Sequence, residues 1–143
     1  MDNRLIALAD WARQVLGTPD ATLVPASGDA SFRRYFRVHV ADATYIVMDA
    51  PPAKEDVRPF IAIAERFAAL GLNVPQTLAR DIAAGFLLIT GLGSTLYLSV
   101  LNEATVERLY GDALGALVVL QAGIYTERPG VDSTFPEYDA ALL

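Results

Sequence analysis

Residues 32–48 read FRRYFRVHVADATYIVM, and this stretch decides the fold. In its first part, apolar side chains alternate with arginines, which is the period-two pattern of a strand that covers a core with one face. Residues 44–48 are apolar almost throughout, as in a buried strand. Because only residues 41–43 separate the two parts, the stretch predicts an antiparallel hairpin.

Helices and strands are also predicted on both sides of this hairpin. Upstream, residues 3–16 have the apolar spacing of an amphipathic helix, residues 22–25 favour a short strand, and residues 27–31 favour a turn. Downstream, the same criteria predict a helix with Asp56 as N-cap, Pro59 in its first turn and Gly71 at its end. Strands follow over residues 74–81 and 86–90, with a turn over 83–85 between them. A short helix over 95–101 and a long apolar helix over 103–122 complete the prediction.

This order of elements predicts an α+β fold. About five strands form an antiparallel sheet, one helix precedes the sheet, and one long helix is inserted after the third strand. Such an arrangement is typical of the small lobe of protein-kinase-like enzymes. The glycines at residues 91–93 would then form a hinge to the helices that follow.

The composition excludes several classes of protein. The chain has 143 residues, a formal net charge of −6 and 53% hydrophobic residues, which suits one compact domain, or one domain with part of another, and not a disordered chain. Without cysteine it has no disulfides and no thiolate chemistry, which fits a cytoplasmic location. An acidic chain lacks the basic face of a general nucleic-acid binder, and no apolar run is long enough for a membrane span.

The segment SGDASFRRYFR, residues 27–37, is the first candidate for chemistry. Small residues in a turn between two strands let backbone N–H groups approach phosphate oxygens, Ser31 would add a hydroxyl, and Arg33 or Arg34 would add positive charge. The segment has neither a G-x-G-x-x-G nor a G-K-[ST] pattern. An ordinary hairpin turn with solvated arginines is therefore the alternative interpretation.

The next strand lacks the lysine with which kinases hold nucleotide phosphates. At the corresponding place, after Ile46 and Val47, the sequence has Met48, for which a position in the core is expected. Asp49 cannot substitute for a lysine, because its charge repels phosphate. Any phosphate-neutralising cation must come from the arginines of residues 27–37 or from Lys54, the only lysine of the chain.

The apolar strand over residues 86–90 ends in glycines, so its end could offer backbone groups and aliphatic walls to adenine; a buried strand followed by a loop is the alternative. Aspartates are scattered along the rest of the chain, and no H-x-D-x-x-x-x-N pattern is present, so no catalytic base or magnesium ligand is assigned. His39, the only histidine, lies between two valines and is expected on the exposed face of its strand.

Taken together, four segments resemble the aminoglycoside phosphotransferase family of kinase-like enzymes, and in particular its N-acetylmuramate/N-acetylglucosamine anomeric kinase branch. These segments are SGDASFRRYFRV, YIVMDAPPAKEDVRPF, GLNVPQTLARDIAAGFLLITGLG and LYGDALGALVVLQ. The resemblance extends over essentially the whole chain, which covers less than half of such an enzyme. It implies ATP-dependent, Mg²⁺-assisted phosphorylation of the anomeric hydroxyl of an amino sugar recovered from peptidoglycan.

The resemblance also implies how the chain is organised. Residues 1–92 would form the nucleotide-binding N-lobe, and residues 93–143 would form the hinge and the start of a helical C-lobe. The residues implied at the nucleotide are Gly28, Asp29, Ala30, Ser31 and Arg33 near the phosphates, Ile89, Thr90 and Gly91 as the backbone edge facing adenine, and Ile46 and Leu88 as the walls of the adenine pocket.

Two departures from the family pattern keep alternatives open. The strand lysine is replaced by Met48, and the helix glutamate that pairs with it falls near Phe60. The family's H-G-D-x-x-x-x-N segment and metal-binding aspartate are expected beyond residue 143, so the chain alone is expected to be inactive. The alternatives are an aminoglycoside or other small-molecule kinase, a non-catalytic pseudokinase-like module, and an interaction domain without a nucleotide site.

The end of the chain predicts that more polypeptide follows. Residues 135–143 have the pattern of a helix cut within its first turns, which indicates the front part of a larger protein. The helix over residues 103–122 is very apolar for an exposed element, which makes it a candidate surface for self-association.

Overall fold

The computed structural model describes residues 2–28 and 31–126. In chain order, its elements are α1 (Asn3–Leu16), β1 (Val24–Gly28), β2 (Arg34–Val40), β3 (Ala43–Asp49), α2 (Arg58–Ala69), β4 (Thr77–Asp81), β5 (Phe86–Thr90), α3 (Tyr97–Val100) and α4 (Val106–Thr126). The strands form a five-stranded antiparallel sheet in the order β1-β2-β3-β5-β4. This sheet, with α2 inserted after its third strand, confirms the predicted α+β fold.

The hairpin that decides the fold is confirmed, with two changes at its ends. Strands β2 and β3 pair from Arg34 opposite Asp49 to Val40 opposite Ala43. Strand β1 continues to Gly28, which pairs with Arg34, so residues 27 and 28, which were predicted in the turn, belong to the strand. Phe32 was predicted within the strand but precedes β2, and its side chain is 60% exposed.

Helices cover the two faces of the sheet, and we name each face after the helix that packs on it. Successive side chains of a strand point to opposite faces, so neighbours in sequence belong to different cores. On the α1 face, Leu8 and Ala12 of α1 belong to a buried cluster with Phe36, Val38, Val47, Phe86 and Leu88. On the α2 face, Ile61 of α2 and Val57 before it belong to a second cluster with Met48, Ala50, Leu87 and Ile89.

The helix ends follow their local sequence. Asp2 caps α1, because its carboxylate accepts hydrogen bonds from the N–H groups of Arg4 and Leu5, each at 3.1 Å. Helix α2 begins one residue later than predicted, with Val57 as its N-cap. The Asp56 carboxylate still accepts a hydrogen bond from the Arg58 N–H at 2.9 Å. This bond at the start of the helix explains why the sequence around Asp56 resembles that of an N-cap.

Gly85 joins the turn between β4 and β5 to the end of β3. Its carbonyl oxygen accepts a hydrogen bond from the Ala50 N–H at 2.9 Å. Its φ of +72° is in the left-handed region, and a Cβ atom at this position would lie 1.9 Å from the Ala50 carbonyl oxygen. Only glycine permits this approach.

The chain divides into two compact units, Met1–Leu101 and Asn102–Leu143. The long apolar helix predicted over residues 103–122 is α4 of the second unit, and it begins and ends a few residues later. Several of its apolar side chains are exposed, namely Tyr110, Leu114, Leu117 and Val118. Within residues 2–28 and 31–126, no helix combines the length and the hydrophobicity that crossing a membrane requires. The helix start predicted at residues 135–143 lies outside the described residues.

Candidate nucleotide-binding site

The loop between β1 and β2 lies at the end of the sheet where Gly28 pairs with Arg34. This loop contains the predicted phosphate-facing residues, of which Asp29 and Ala30 lie outside the described part of the chain. Ser31 and Arg33 are brought together, because the Ser31 hydroxyl oxygen accepts a hydrogen bond from the Arg33 N–H at 3.1 Å. The bond closes a small turn that leads directly into β2.

Arg33 lies on the α2 side of the sheet, where it forms a partly buried ion pair. Its Nη2 donates to Glu55 Oε2 at 3.1 Å, with 29% of the Arg33 side chain and 18% of the Glu55 side chain exposed. The guanidinium carbon lies 5.9 Å from the centre of the Phe60 ring, within the range of a cation–π contact. Burial acts to lower the pKa of Arg33, but hydrogen bonding with Tyr35 and the charge of Glu55 outweigh it, and the net pKa is raised.

Arg34 lies on the opposite face and is engaged in a network around Asp49. The Asp49 side chain is fully buried, and its two carboxylate oxygens accept from Arg4 Nε at 2.6 Å and from Arg34 Nη2 at 2.6 Å. Arg34 also donates to Asp2, and Arg4 donates to the Ala84 carbonyl oxygen at 2.6 Å. The hydrogen bond to Asp2, together with Asp49, raises the pKa of Arg34. Arg34, one of the two arginines expected to supply charge to phosphate, thus neutralises a buried acid on the face opposite Arg33.

Lys54 lies in the loop between β3 and α2, at an exposed position. Its Nζ is 5.2 Å from the centre of the Phe32 ring. The loop between β3 and α2 therefore contacts the loop before β2 twice, through Lys54 with Phe32 and through Glu55 with Arg33. These contacts connect the two loops that were expected to supply a phosphate-neutralising cation.

Two of the three predicted aliphatic residues share one face of the sheet, and the third does not. Ile46 and Ile89 are register partners on the α2 face, where Ile46 is half-buried and Ile89 is buried. Leu88 pairs with Val47 and packs on the α1 face in the cluster around Leu8. The structure therefore does not bring Leu88, predicted as a wall of the adenine pocket, onto the same face as Ile46, because the alternation of side chains along β5 puts Ile89 beside Ile46.

The end of β5 uses one of its backbone groups within the sheet. The Thr90 N–H donates to the Gln76 carbonyl oxygen at 3.0 Å, and the Thr90 hydroxyl oxygen accepts from the Gln76 N–H at 2.9 Å. The donor of Thr90 is therefore engaged with the segment that leads into β4. A backbone edge that faces a ligand would begin at Gly91, where a Cβ atom would lie 3.4 Å from the Thr44 carbonyl oxygen.

At the two positions where kinases carry a lysine and its partner glutamate, this chain has hydrophobic residues. Met48 is fully buried in the cluster on the α2 face, as expected, and Phe60 of α2 packs against the same cluster. His39 is exposed, as expected, and its Nδ1 lies 3.2 Å from the Thr44 hydroxyl oxygen. A hydrophobic contact zone thus occupies the positions where kinases carry the lysine and its glutamate.

Sequence reasoning missed Glu55 and the role of Asp49 with Arg4. The alternation in FRRYF was a usable signal, because it places residues 33 and 35 on one face and residues 34 and 36 on the other. No comparable signal connects Arg33 to Glu55 or Arg4 to Asp49. Those pairs are separated by 22 and 45 residues and meet only in the folded sheet.

Among residues 2–28 and 31–126, no group of three or more histidine, cysteine, aspartate or glutamate side chains could hold a metal ion. Two described acids next to this loop pair with arginines, Glu55 with Arg33 and Asp49 with Arg4 and Arg34. The described residues therefore do not form a complete Mg²⁺ site by themselves, and no chemical step is assigned to a metal here.

Comparison with known proteins matches this chain to one family. Residues 22–140 match the model of the phosphotransferase enzyme family (APH). The chain is 46% identical over 125 residues to an N-acetylmuramate/N-acetylglucosamine kinase of Pseudomonas aeruginosa, covering 87% of this chain and 35% of the relative. It is 42% identical over 152 residues to the kinase of the same name from Pseudomonas putida, covering 99% of this chain and 43% of the relative.

A third relative of the same name, from Neisseria meningitidis serogroup B, is 38% identical over 145 residues, which cover 98% of this chain and 41% of the relative. The chain spans about two fifths of the length of the curated relatives it matches. The family match extends over most of the chain, from before β1 through α4, and it agrees with the α+β fold and with the resemblance in the sequence. The chain belongs to the phosphotransferase enzyme family.

Proposed function

We propose that this chain forms the nucleotide-binding part of an ATP-dependent kinase that phosphorylates a sugar hydroxyl. The acceptor we propose is the anomeric hydroxyl of N-acetylmuramate or N-acetylglucosamine. The observation that carries this proposal is the identity of 46% and 42% with relatives that bear the name of such a kinase. The antiparallel sheet, with α2 inserted after β3, supports the nucleotide-binding role.

The α2 face provides the groups that we assign to the nucleotide. Ile46 and Ile89 would contact adenine, and the backbone from Gly91 onward would face its polar edge. The loop between β1 and β2, from Gly28 through Ser31, would cover the phosphates, with residues 1–92 as the N-lobe. Magnesium would screen the phosphates with ligands that we assign outside the described residues.

In the proposed reaction, the anomeric oxygen of the sugar attacks the γ-phosphorus of ATP. The bond from the γ-phosphorus to its bridging oxygen breaks, ADP leaves, and the hydroxyl proton passes to a base. We assign that base outside residues 1–143, because the sequence contains no H-x-D-x-x-x-x-N pattern. We therefore expect these residues alone to transfer no phosphate.

The proposal is tested with the complete enzyme and with the 143-residue chain. Each is incubated with Mg·ATP and one of three acceptors: N-acetylmuramate, N-acetylglucosamine or an aminoglycoside. We expect ³¹P NMR to show a sugar 1-phosphate from the complete enzyme with the first two acceptors, and no product from the chain alone. A product only with the aminoglycoside would favour the alternative substrate class. Product from the pure chain would contradict the assignment of the base outside it.

A non-catalytic, pseudokinase-like module is the second candidate. The observation that favours it is the burial of Met48 in a hydrophobic cluster, against which Phe60 packs, where kinases carry a lysine and a glutamate. Such a module would bind ATP and release it unchanged. The same assay separates the two candidates, because binding of ATP by the complete enzyme without any product would favour the module. Self-association through α4 and a cytoplasmic location stay predictions.

A further inference from the structure

Arg33, directly before β2, and Arg34, its first residue, have different surroundings. Arg34 lies on the α1 face and donates to Asp49 and to Asp2. Arg33 lies on the α2 face, the same face as Ile46 and Ile89, and contacts Glu55 and Phe60. The alternation of side chains in extended backbone therefore delivers one of these two cations to the proposed nucleotide face.

Other cations near this face are less suited to hold a phosphate. Lys54 is exposed, and its Nζ lies over the Phe32 ring, which is itself exposed. Arg37 lies two residues beyond Tyr35 on β2, toward residues 91–93, where its Nη2 is 3.5 Å from the Gly93 carbonyl oxygen. Arg33 is the cation that directly adjoins the turn of Ser31, since its own N–H donates to the Ser31 hydroxyl.

Arg33 is also held in place, which distinguishes it from a solvated surface arginine. Glu55 accepts from Nη2, and the guanidinium carbon lies over the Phe60 ring, 5.9 Å from the ring centre. Arg33 hydrogen-bonds with Glu55 and with Tyr35, but a guanidinium has five N–H donors, so donors remain for phosphate oxygens, whose geometry its fork matches. A cation fixed in advance loses less entropy when it binds an anion than a mobile one does.

We infer that Arg33, positioned by Glu55, contacts the nucleotide phosphates in place of the strand lysine that Met48 replaces. This inference rests on the proposed function, because it assigns a residue to the same nucleotide site. In kinases, a strand lysine pairs with a helix glutamate. In this chain, Arg33, directly before β2, and Glu55, in the loop before α2, replace that ion pair. Arg33 touches substrate, whereas Glu55 acts through Arg33 as a positioning residue.

The test measures the affinity of the 143-residue chain for Mg·ATP and for adenosine by NMR titration. Arg33→Met should weaken Mg·ATP binding by about 10–100-fold, since a hydrogen-bonded charge contact is lost, and should leave adenosine binding unchanged. Glu55→Gln should weaken Mg·ATP binding by about three- to tenfold. Arg33→Lys should give an intermediate loss, because lysine keeps the charge without the fork. These differences between ATP and adenosine separate a phosphate contact from a general loss of structure.

The double variant Arg33→Met/Glu55→Gln tests the positioning role. If Glu55 acts through Arg33, its substitution should cause no further loss of Mg·ATP affinity once Arg33 has been replaced. The matched control is the exposed pair of Arg58 and Asp56, 2.8 Å apart at the start of α2, whose variants Arg58→Met and Asp56→Asn should bind Mg·ATP like the wild type.

The possible outcomes distinguish this inference from the proposed function. A wild-type chain that binds neither Mg·ATP nor adenosine would overturn both. A wild-type chain that binds Mg·ATP, with Arg33→Met and Arg33→Lys binding it equally well, would overturn the inference and leave the proposed function standing. Equal losses of ATP and adenosine affinity in folded Arg33→Met and Arg33→Lys would also overturn the inference, because they would indicate a structural role.

Discussion

On the α1 face, Arg4 and Arg34 both donate to the Asp49 carboxylate, which has no contact with solvent. On the α2 face, by contrast, Arg33 and Glu55 form an ion pair that solvent still reaches. The first arrangement is closed, because both oxygens of Asp49 are occupied and α1 lies over the face. In the second, Arg33 and Glu55 keep 29% and 18% of their side chains exposed. The arginines themselves are exposed to a similar extent, 30% for Arg4 and 39% for Arg34, so the faces differ in the acid: Asp49 is fully buried between two arginines, whereas Glu55 has one arginine partner and is partly exposed.

The difference follows from what each face must do. A buried charge is tolerated only when it is paired and hydrogen-bonded, so the α1 face uses its arginines to satisfy Asp49. A site that binds an anion must keep a cation with unused donors near solvent, as Arg33 is on the α2 face. Variants of the two faces should therefore differ in kind: those of the α1 face should change stability, and those of the α2 face should change nucleotide affinity.

The largest expected effect is the loss of the buried charge on the α1 face. Asp49→Asn should lower the free energy of unfolding by about 3–5 kcal/mol, because removing one partner of a buried ion pair leaves the other charges uncompensated. Urea denaturation followed by circular dichroism measures the change. Asp56→Asn is the matched control, since Asp56 is exposed and pairs with Arg58, and it should unfold like the wild type. Equal stability of Asp49→Asn and the wild type would remove the distinction between the faces.

A comparison of aliphatic residues on the two faces should give a smaller effect. Leu88→Ala should lower the free energy of unfolding by about 2–4 kcal/mol, because Leu88 is buried in the cluster beneath α1. Its nucleotide affinity should not change. Ile46→Ala, on the half-buried partner of Ile89, should cost less stability and should weaken ATP and adenosine binding equally, by about tenfold, since each buried CH₂ contributes about 0.8 kcal/mol. Weaker adenosine binding by Leu88→Ala, with Ile46→Ala unchanged, would reverse the assignment of the faces.

The smallest expected effect concerns the pH dependence of stability at the edge of the α1 network. The hydrogen bond from Arg34, together with that from the Leu5 N–H, lowers the pKa of Asp2 below its ordinary value of 3.8. A lowered folded-state pKa means that ionised Asp2 stabilises the fold above that ordinary value, and that this contribution disappears as the pH falls through the folded-state pKa.

Asp2→Asn isolates this contribution, because asparagine still caps a helix but does not ionise. Thermal denaturation at several pH values below about 5 measures it. The wild type should lose more stability than the variant over this acidic range, and high salt should reduce the difference, since Asp2 is exposed. Parallel pH profiles for the two proteins would show that Asp2 contributes only as a cap.

Much of the fold was predictable from patterns that are local in sequence. The hairpin of β2 and β3, the apolar strand β5 and the amphipathic helix α1 each follow from the periodicity of a single segment. The ends of elements were less predictable: the register of β1 with β2, which includes a bulge between Pro25 and Ser27, extends the strand through Gly28. That pairing depends on the partner strand, so the turn residues in the sequence did not reveal it.

The segments of the candidate site could be identified from the sequence, but the faces and partners of their side chains could be predicted only in part. The segment before β2 and the end of β5 were identified as candidates, and Ile46 and Leu88 were both predicted as walls of the adenine pocket, but alternation along β5 puts Ile89 beside Ile46 and Leu88 on the other face. The partners of Arg33 and Asp49 could not be predicted, because Glu55 and Arg4 are distant in sequence and meet them only after the sheet has formed. Contacts between distant segments leave no periodic pattern in a single sequence.

The central claim is that the nucleotide binds on the α2 face of the sheet. Methyl NMR of the 143-residue chain during titration with Mg·ATP tests it most directly, because isoleucine, leucine and valine methyl groups report on both faces. The account predicts that the methyl signals of Ile46 and Ile89 shift with added Mg·ATP while those of Val47 and Leu88 stay unchanged. Shifts of Val47 and Leu88 with Ile46 and Ile89 unchanged, or no shift at all at millimolar nucleotide, would contradict it.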